Sequence, residues 1–219
     1  MTEELITITE PLSPISEAYR TLRMNLQYAA LDRALHTLLV TSPGPGEGKS
    51  TTLANLAVTM AEAEQRVVMV DADLRKPCLH QFFGLKNDVG LTTMMVDEQA
   101  LDTPPLQPTS IKGLQILPSG PLPPRPADLL GSKRMEKVIA RLLGEADVLL
   151  FDAPPLIVVT DAVVLATKVS GVLLVVSAGE TKREQAQQAI ERLNKVNAHI
   201  AGVVLNNVPL DATLHGYYK

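Results

Sequence analysis

The sequence is poor in cysteine, in aromatic residues and in long apolar runs. Cys78 is the single cysteine in 219 residues. No internal disulfide can form, and no cysteine pair within one chain could hold an iron–sulfur cluster. There is no tryptophan, and only three phenylalanines and four tyrosines are present. That scarcity argues against base-stacking platforms for nucleic acid. The formal net charge is -4, so nothing suggests a broad nucleic-acid surface and no nucleic-acid partner is expected. The strongest apolar stretches, such as VLLFDAPPLIVV, are short and broken, below the roughly 20 residues of a membrane span. The opening MTEELITITEP is acidic and lacks the basic-then-apolar order of a signal peptide. A reducing compartment is expected, with any membrane role exercised through a partner.

What is present is an ordinary globular composition, 46% hydrophobic and 20% charged. The length suits one large domain over residues 1–219. Residues 1–12 read as loose or strand-like. Ser13 and Pro14 then offer a cap and a first-turn proline. Ile15, Tyr19, Leu22, Leu26 and Ala29 recur at helical spacing, which predicts a helix over about 13–31.

Farther on, TLLVTSP, RVVMVDAD, LQILPSG, ADVLLFDAPP, GVLLVVSAG and AGVVLNNV read as strands. Helical patterns lie between them at 49–64, near GLTTMMV, at 126–131, at 132–144 and around 181–196. A Pro-rich connection occupies 104–108. Continuous apolar strands alternating with helices predict a three-layer α/β sandwich. Its sheet would be mostly parallel and covered on both faces.

The most specific signal is PGPGEGKST, between a predicted strand and a predicted helix. Gly44, Gly46 and Gly48 let the backbone curl so that its N–H groups face phosphate oxygens. The loop Gly44-Pro45-Gly46-Glu47-Gly48-Lys49-Ser50-Thr51 is the candidate nucleotide cradle. Lys49 can reach the outer phosphates, and the Ser50 hydroxyl can ligate magnesium. The usual first glycine of this P-loop pattern is Pro43 here.

Such a site needs carboxylates, and a parallel sheet presents them at strand ends. Asp71 and Asp73 end one predicted strand and Asp152 ends another. Two apart on an ideal strand, Asp71 and Asp73 would face the same side, one for magnesium and the other for a proton or water. As turn residues or helix caps, the three acids would have no chemical role. Arg75 and Lys76 could steady phosphate, pair with Asp73, or face solvent. Asn206 and Asn207 end a late strand and could read a purine edge or simply cap the chain.

Taken together, SPISEAYRTLRMNLQY, PGEGKSTTLANLA, VVMVDADLRKPCLH, VLLFDAPPLIVVTDA and VVLNNV resemble the bacterial tyrosine kinases of capsule and exopolysaccharide production. The resemblance covers nearly the whole chain. It implies a P-loop NTPase fold of the MinD/ParA-like, deviant Walker type, with ATP and Mg2+ as cofactors. It places Lys49 and Ser50 in Walker A, Asp71 and Asp73 in Walker A', and Asp152 in Walker B. Asp71 would be the base for the tyrosine proton, while Asp73 and Asp152 would organise magnesium.

The resemblance further implies that Glu17, Arg20 and Arg23 form a motif that assembles a ring of subunits. Tyr217 and Tyr218, in a tail of about residues 212–219, would be autophosphorylated in trans. The implied partners are a transmembrane activator or chain-length regulator, neighbouring subunits of the ring, protein tyrosine substrates and a cognate tyrosine phosphatase. The implied location is cytoplasmic, peripheral to the inner face of the cell membrane. Family tails often carry a longer tyrosine run, whereas this sequence has two followed by Lys219. Two other readings stand beside the kinase. One is a MinD/ParA-like ATPase switch, although those proteins commonly carry a second lysine where this chain has Pro43, Gly44 and Pro45. The other is a non-catalytic ATP-binding adaptor of polysaccharide assembly.

Overall fold

The computed structural model describes residues 5–30 and 33–209. The chain forms α1 (Ile6–Thr9), α2 (Pro14–Ala29), β1 (Thr37–Thr41), α3 (Lys49–Glu62) and β2 (Val67–Asp71). Three short helices follow, α4 (Leu79–Phe82), α5 (Leu91–Val96) and α6 (Glu98–Asp102), and then β3 (Gln107–Pro108) and β4 (Leu114–Leu117). The remaining elements are α7 (Pro126–Gly131), α8 (Lys133–Leu142), β5 (Val148–Asp152), α9 (Asp161–Ala166), β6 (Gly171–Ser177), α10 (Arg183–Lys195) and β7 (Ile200–Asn206).

The seven strands form one sheet in the order β3-β4-β2-β5-β1-β6-β7. Only the β3–β4 pair is antiparallel. Every residue of β1, β2 and β5 is buried, as expected for central parallel strands covered on both sides. Side chains alternate between faces: Leu38 and Val40 join one apolar cluster, Leu39 the other. The first cluster takes its helical wall chiefly from α3, whose residues Thr52–Ala61 are all buried. The second is walled by α5, α8, α9 and α10. Phe151, in the second cluster, is the largest fully buried side chain among the described residues. Truncating it to alanine would cost about 3–5 kcal/mol.

Local chemistry sets the ends of the elements. Ser13 Oγ accepts the Ser16 N–H at 3.2 Å, and Pro14 opens α2. Ser132 plays the same part for α8 through the Met135 N–H. Residues 1–12, expected to be loose or strand-like, instead contain the one-turn helix α1. The β-branched sequence ITIT favours a strand, but tertiary contacts override it. Asn55 Oδ1 accepts both the N–H and the hydroxyl of Thr7, at 3.1 and 2.8 Å.

The strand expected over 66–73 stops at Asp71, so Asp73 lies in the loop beyond it rather than on the same strand face. Helices α4, α6 and α9 and the two-residue strand β3 have no counterpart in the sequence reading. Phe82 is buried in the first cluster, and Phe83 packs against it.

Candidate active site

The site sits at the carboxyl ends of the central strands. From β1 the chain enters the loop 42–48 and turns directly into α3. Gly48 precedes the helix with φ 83°, a left-handed conformation that a side chain would strain. There is also no room for one: a Cβ at Gly48 would lie 2.1 Å from Asn206 Nδ2. The loop is braced from behind. Gly44 N donates to Glu47 Oε2 at 3.1 Å, and Asn206 Nδ2 donates to the Glu47 carbonyl at 3.1 Å. Thr181 Oγ1 donates to Glu47 Oε1 at 2.6 Å and accepts the Ser177 N–H at 2.8 Å. Pro45 and Gly46 are exposed at the tip.

In front of the loop is a cavity of about 360 Å³ whose walls include Gly46, Gly48, Lys49, Ser50, Thr51 and Cys78. A second groove, of about 570 Å³, runs between α2 and β7 past Tyr19, Thr52, Asn206 and Asn207.

The charged centre is dense. Lys49 Nζ donates to Ser50 Oγ at 3.0 Å and to Asp152 Oδ1 at 3.4 Å, and lies 3.3 Å from Asp73 Oδ2. Ser50 Oγ donates to Asp152 Oδ2 at 2.6 Å. Asp73 Oδ1 accepts the backbone N–H groups of Arg75 and Lys76, at 3.3 and 3.0 Å. Asp71 is paired in register with Asp152 across β2 and β5. Its Oδ2 accepts the N–H groups of Cys78 and Leu79, each at 3.0 Å. Its Oδ1 is buried without a hydrogen-bond partner.

Burial pushes the Asp71 carboxyl well above the ordinary carboxylate range, and the neighbouring Asp152 adds to the effect. Asp152 is also raised by burial, against the pull of Lys49 and Ser50. Burial alone would lower Lys49, but Asp152 and Asp73 outweigh it and raise the ammonium. Cys78 is pushed up to about 12 by burial and by Asp152, so its thiol is neutral at physiological pH.

Among the described residues, no group of three His, Cys, Asp or Glu is preassembled as a metal cage. The donors gathered here are a hydroxyl and carboxylates, which are hard oxygen ligands. Magnesium usually takes one or two such carboxylates and completes its shell with substrate phosphates and water. Ser50, Asp73 and Asp152 therefore fit a magnesium–nucleotide complex. The unpartnered Asp71 oxygen fits a proton acceptor beside it.

Other expected residues lie elsewhere. Glu17 and Arg20 form an ion pair on α2, and Arg20 also reaches Glu62 at 3.8 Å. Arg23 Nη1 donates to the Thr59 carbonyl at 2.7 Å, so this face of α2 leans on α3. Tyr217 and Tyr218 lie outside the described residues. The sequence reading missed Asp161, which is wholly buried and accepts a two-pronged hydrogen bond from Arg75. Its one sequence signal is an acid preceding AVVLA, an ordinary helix start. The braces from Thr181 and Ser177 left no signal in the spacing.

Fold and site together define a P-loop NTPase of the MinD/ParA-like class. Residues 33–212 match a family model described as ParA, NUBPL iron-transfer P-loop NTPase. Closer relatives narrow the class. The chain is 42% identical to tyrosine-protein kinase YwqD of Bacillus subtilis, over 100% of this chain and 92% of that protein. It is 29% identical to tyrosine-protein kinase wzc of Salmonella typhimurium, over 99% of this chain but 30% of that longer protein. The solved kinase domain of Escherichia coli tyrosine kinase ETK superposes with a TM-score of 0.88 at 29% identity, covering 95% of this chain and 82% of that one. The chain belongs to the bacterial tyrosine kinase family. Among the described residues, no helix is long and apolar enough to cross a membrane.

Proposed function

We propose that the chain is an ATP-dependent protein tyrosine kinase that phosphorylates Tyr217 and Tyr218 in trans and regulates capsular or exopolysaccharide synthesis or export. The observation that carries this reading is Asp71. It is a buried carboxylate with one free oxygen, paired in register with Asp152, which the phosphate-loop lysine engages.

In the proposed reaction, the loop amides and Lys49 would hold the ATP phosphates, and Ser50, Asp73 and Asp152 would hold a magnesium ion, which would supply charge neutralisation at the phosphates. A tyrosine hydroxyl attacks the γ-phosphorus, the bond to the β-phosphate bridging oxygen breaks, and ADP leaves. Asp71 Oδ1 accepts the phenolic proton. Tyrosine has a pKa near 10, so a positioned acceptor lowers the barrier. A raised carboxyl pKa makes Asp71 a better base than an exposed aspartate, provided it is ionised when the tyrosine arrives. Positioning supplies most of the remaining acceleration.

On this reading, Glu17, Arg20 and Arg23 contribute to a ring of subunits that presents one chain's tail to its neighbour. Asn206, which donates to the Glu47 carbonyl behind the loop, would line the nucleotide site. A separate transmembrane chain-length regulator activates the kinase from the inner face of the membrane, and a cognate tyrosine phosphatase reverses the modification.

The test is incubation with magnesium-ATP, with and without an activator peptide, followed by intact mass measurement and peptide mapping. The controls are Lys49→Met, Asp71→Asn and the paired Tyr217→Phe, Tyr218→Phe variant. Phosphate on the tail tyrosines, absent in the Lys49 and Asp71 variants, is the expected result. Release of inorganic phosphate with no phosphotyrosine, even with activator and added tyrosine peptides, would replace the kinase with an ATPase switch. Tight nucleotide binding with neither product would identify an adaptor.

A further inference from the structure

Arg75 is the cation next to the site that the mechanism above leaves without a task. Its side chain turns away from the phosphate cavity. Nε donates to Asp161 Oδ2 at 2.8 Å, and Nη2 donates to Oδ1 at 3.0 Å. This two-pronged fork suits guanidinium and carboxylate and is not available to lysine. Asp161 has no exposure, so the pair is the chief compensation for a buried charge.

The pair joins two segments that flank the reacting phosphate. Arg75 belongs to the loop after β2, where Asp73 Oδ1 accepts the backbone N–H of Arg75 and of Lys76. Asp161 ends the segment that begins at Asp152. That segment is itself tied to the phosphate loop: Leu156 N donates to the Ser42 carbonyl at 2.8 Å and Ile157 N to the Pro43 carbonyl at 3.2 Å. Thr41 Oγ1 donates to the Pro154 carbonyl at 2.9 Å. The contacts therefore close a ring from the phosphate loop through 153–161 to Arg75, Asp73 and back to Lys49.

The geometry points to Arg75 as a positioning residue. Its clasp on Asp161 holds the loop after β2 so that the Asp73 carboxylate faces Lys49 and the metal side of the nucleotide. This rests on the reading above that Asp73 acts on magnesium. Its signature is selective: loss of the clasp weakens the magnesium-dependent part of nucleotide binding and leaves the metal-free part alone.

The experiment measures binding of a fluorescent ADP to the full chain, in EDTA and in excess magnesium. Arg75→Met alone would strand the Asp161 charge, so the main test protein carries Arg75→Met together with Asp161→Asn. Arg75→Lys and Asp73→Asn are its companions, and melting temperature is recorded for all. The expected result is unchanged affinity in EDTA for the paired variant, and a magnesium enhancement reduced about tenfold or more in it and in Asp73→Asn. Arg75→Lys should recover only part of it. A paired variant that keeps the wild-type enhancement while Asp73→Asn loses it would overturn the inference and reduce the clasp to a structural contact. An enhancement untouched by Asp73→Asn would overturn the metal role of Asp73 itself, and the positioning role with it.

Discussion

Asp71 and Asp152 stand side by side in register at the carboxyl ends of β2 and β5, and neither has any exposure. Two carboxyl groups so placed resist ionising together. Lys49 and Ser50 attend to Asp152, whereas Asp71 keeps one oxygen free. The arrangement divides labour: one carboxylate is held by a cation and a hydroxyl, and the other is left able to take a proton.

Asp71→Asn should therefore stabilise the fold while disabling transfer. The folded-state pKa of Asp71 is raised, chiefly by burial and then by Asp152. A raised carboxyl binds its proton more tightly in the folded state, so stability falls as pH rises from the unfolded value near 4 through the folded one. Asparagine removes that loss and can still accept the Cys78 and Leu79 N–H groups. The gain at pH 8 should be on the order of 1–2 kcal/mol, or about 2–8 °C in melting temperature, fading toward pH 4. Tyrosine phosphorylation should fall by about 100-fold or more. Melting curves across pH check the first claim; equal melting shifts at pH 4 and pH 8 would refute it.

Lys49→Met should show the opposite pH trend in stability relative to wild type. Lys49 is the cation within reach of both Asp73 and Asp152. Without it, Asp152 is buried beside the carboxyls of Asp71 and Asp73, with side-chain hydrogen bonds from Ser50 and Cys78 among the described residues. The loss at neutral pH should reach about 2–4 kcal/mol. It should shrink as pH falls, because Asp152 can then protonate and no longer needs the ammonium. Denaturant unfolding at pH 5 and pH 8 measures the difference, and nucleotide binding should weaken at both.

Ser50→Ala isolates the metal side. The Ser50 hydroxyl donates to Asp152 Oδ2 at 2.6 Å, a contact that bound magnesium would exchange for ligation. Removing it leaves Lys49 and the loop backbone in place. Affinity for ADP in EDTA should change little, while the magnesium enhancement drops by about 10–100-fold. Titration calorimetry with and without magnesium separates the two effects. A uniform loss in both conditions would assign Ser50 to the loop's shape instead.

The fold was written in the sequence wherever burial was complete. TLLVT, VVMVD and VLLFD are apolar on both faces because helices cover both sides, and that pattern survives without any partner being known. Ser13 with Pro14, and the glycines before Lys49, are local devices and could be read locally. Short elements that depend on distant contacts could not be read. Helix α1 carries strand-forming residues and is turned by Asn55, 48 residues away. Asp73 was expected on the strand face with Asp71, yet the strand ends first. The Arg75–Asp161 clasp spans 86 residues and the Thr181–Glu47 brace 134. Neither leaves a periodicity or a spacing.

That last brace yields a prediction that separates loop shape from catalysis. Glu47 is a carboxylate inside a loop built to hold phosphate, and it is almost wholly buried. Its charge would oppose the ligand unless it were engaged elsewhere. Gly44 N, at 3.1 Å, and Thr181 Oγ1, at 2.6 Å, engage it. Thr181→Val keeps the volume but removes the hydroxyl that serves both Glu47 and the Ser177 N–H. Two buried polar groups lose a partner, at about 1–3 kcal/mol of stability. The freed Glu47 carboxylate is then able to swing toward the phosphates. ATP affinity should fall about 3- to 10-fold, equivalent to roughly 0.7–1.4 kcal/mol. Thr181→Ser should restore it, and Glu47→Gln in the Thr181→Val background should recover much of it by removing the charge. If Thr181→Val lowers the melting temperature but leaves ATP affinity intact, the brace serves the fold alone and the loop holds its shape without it.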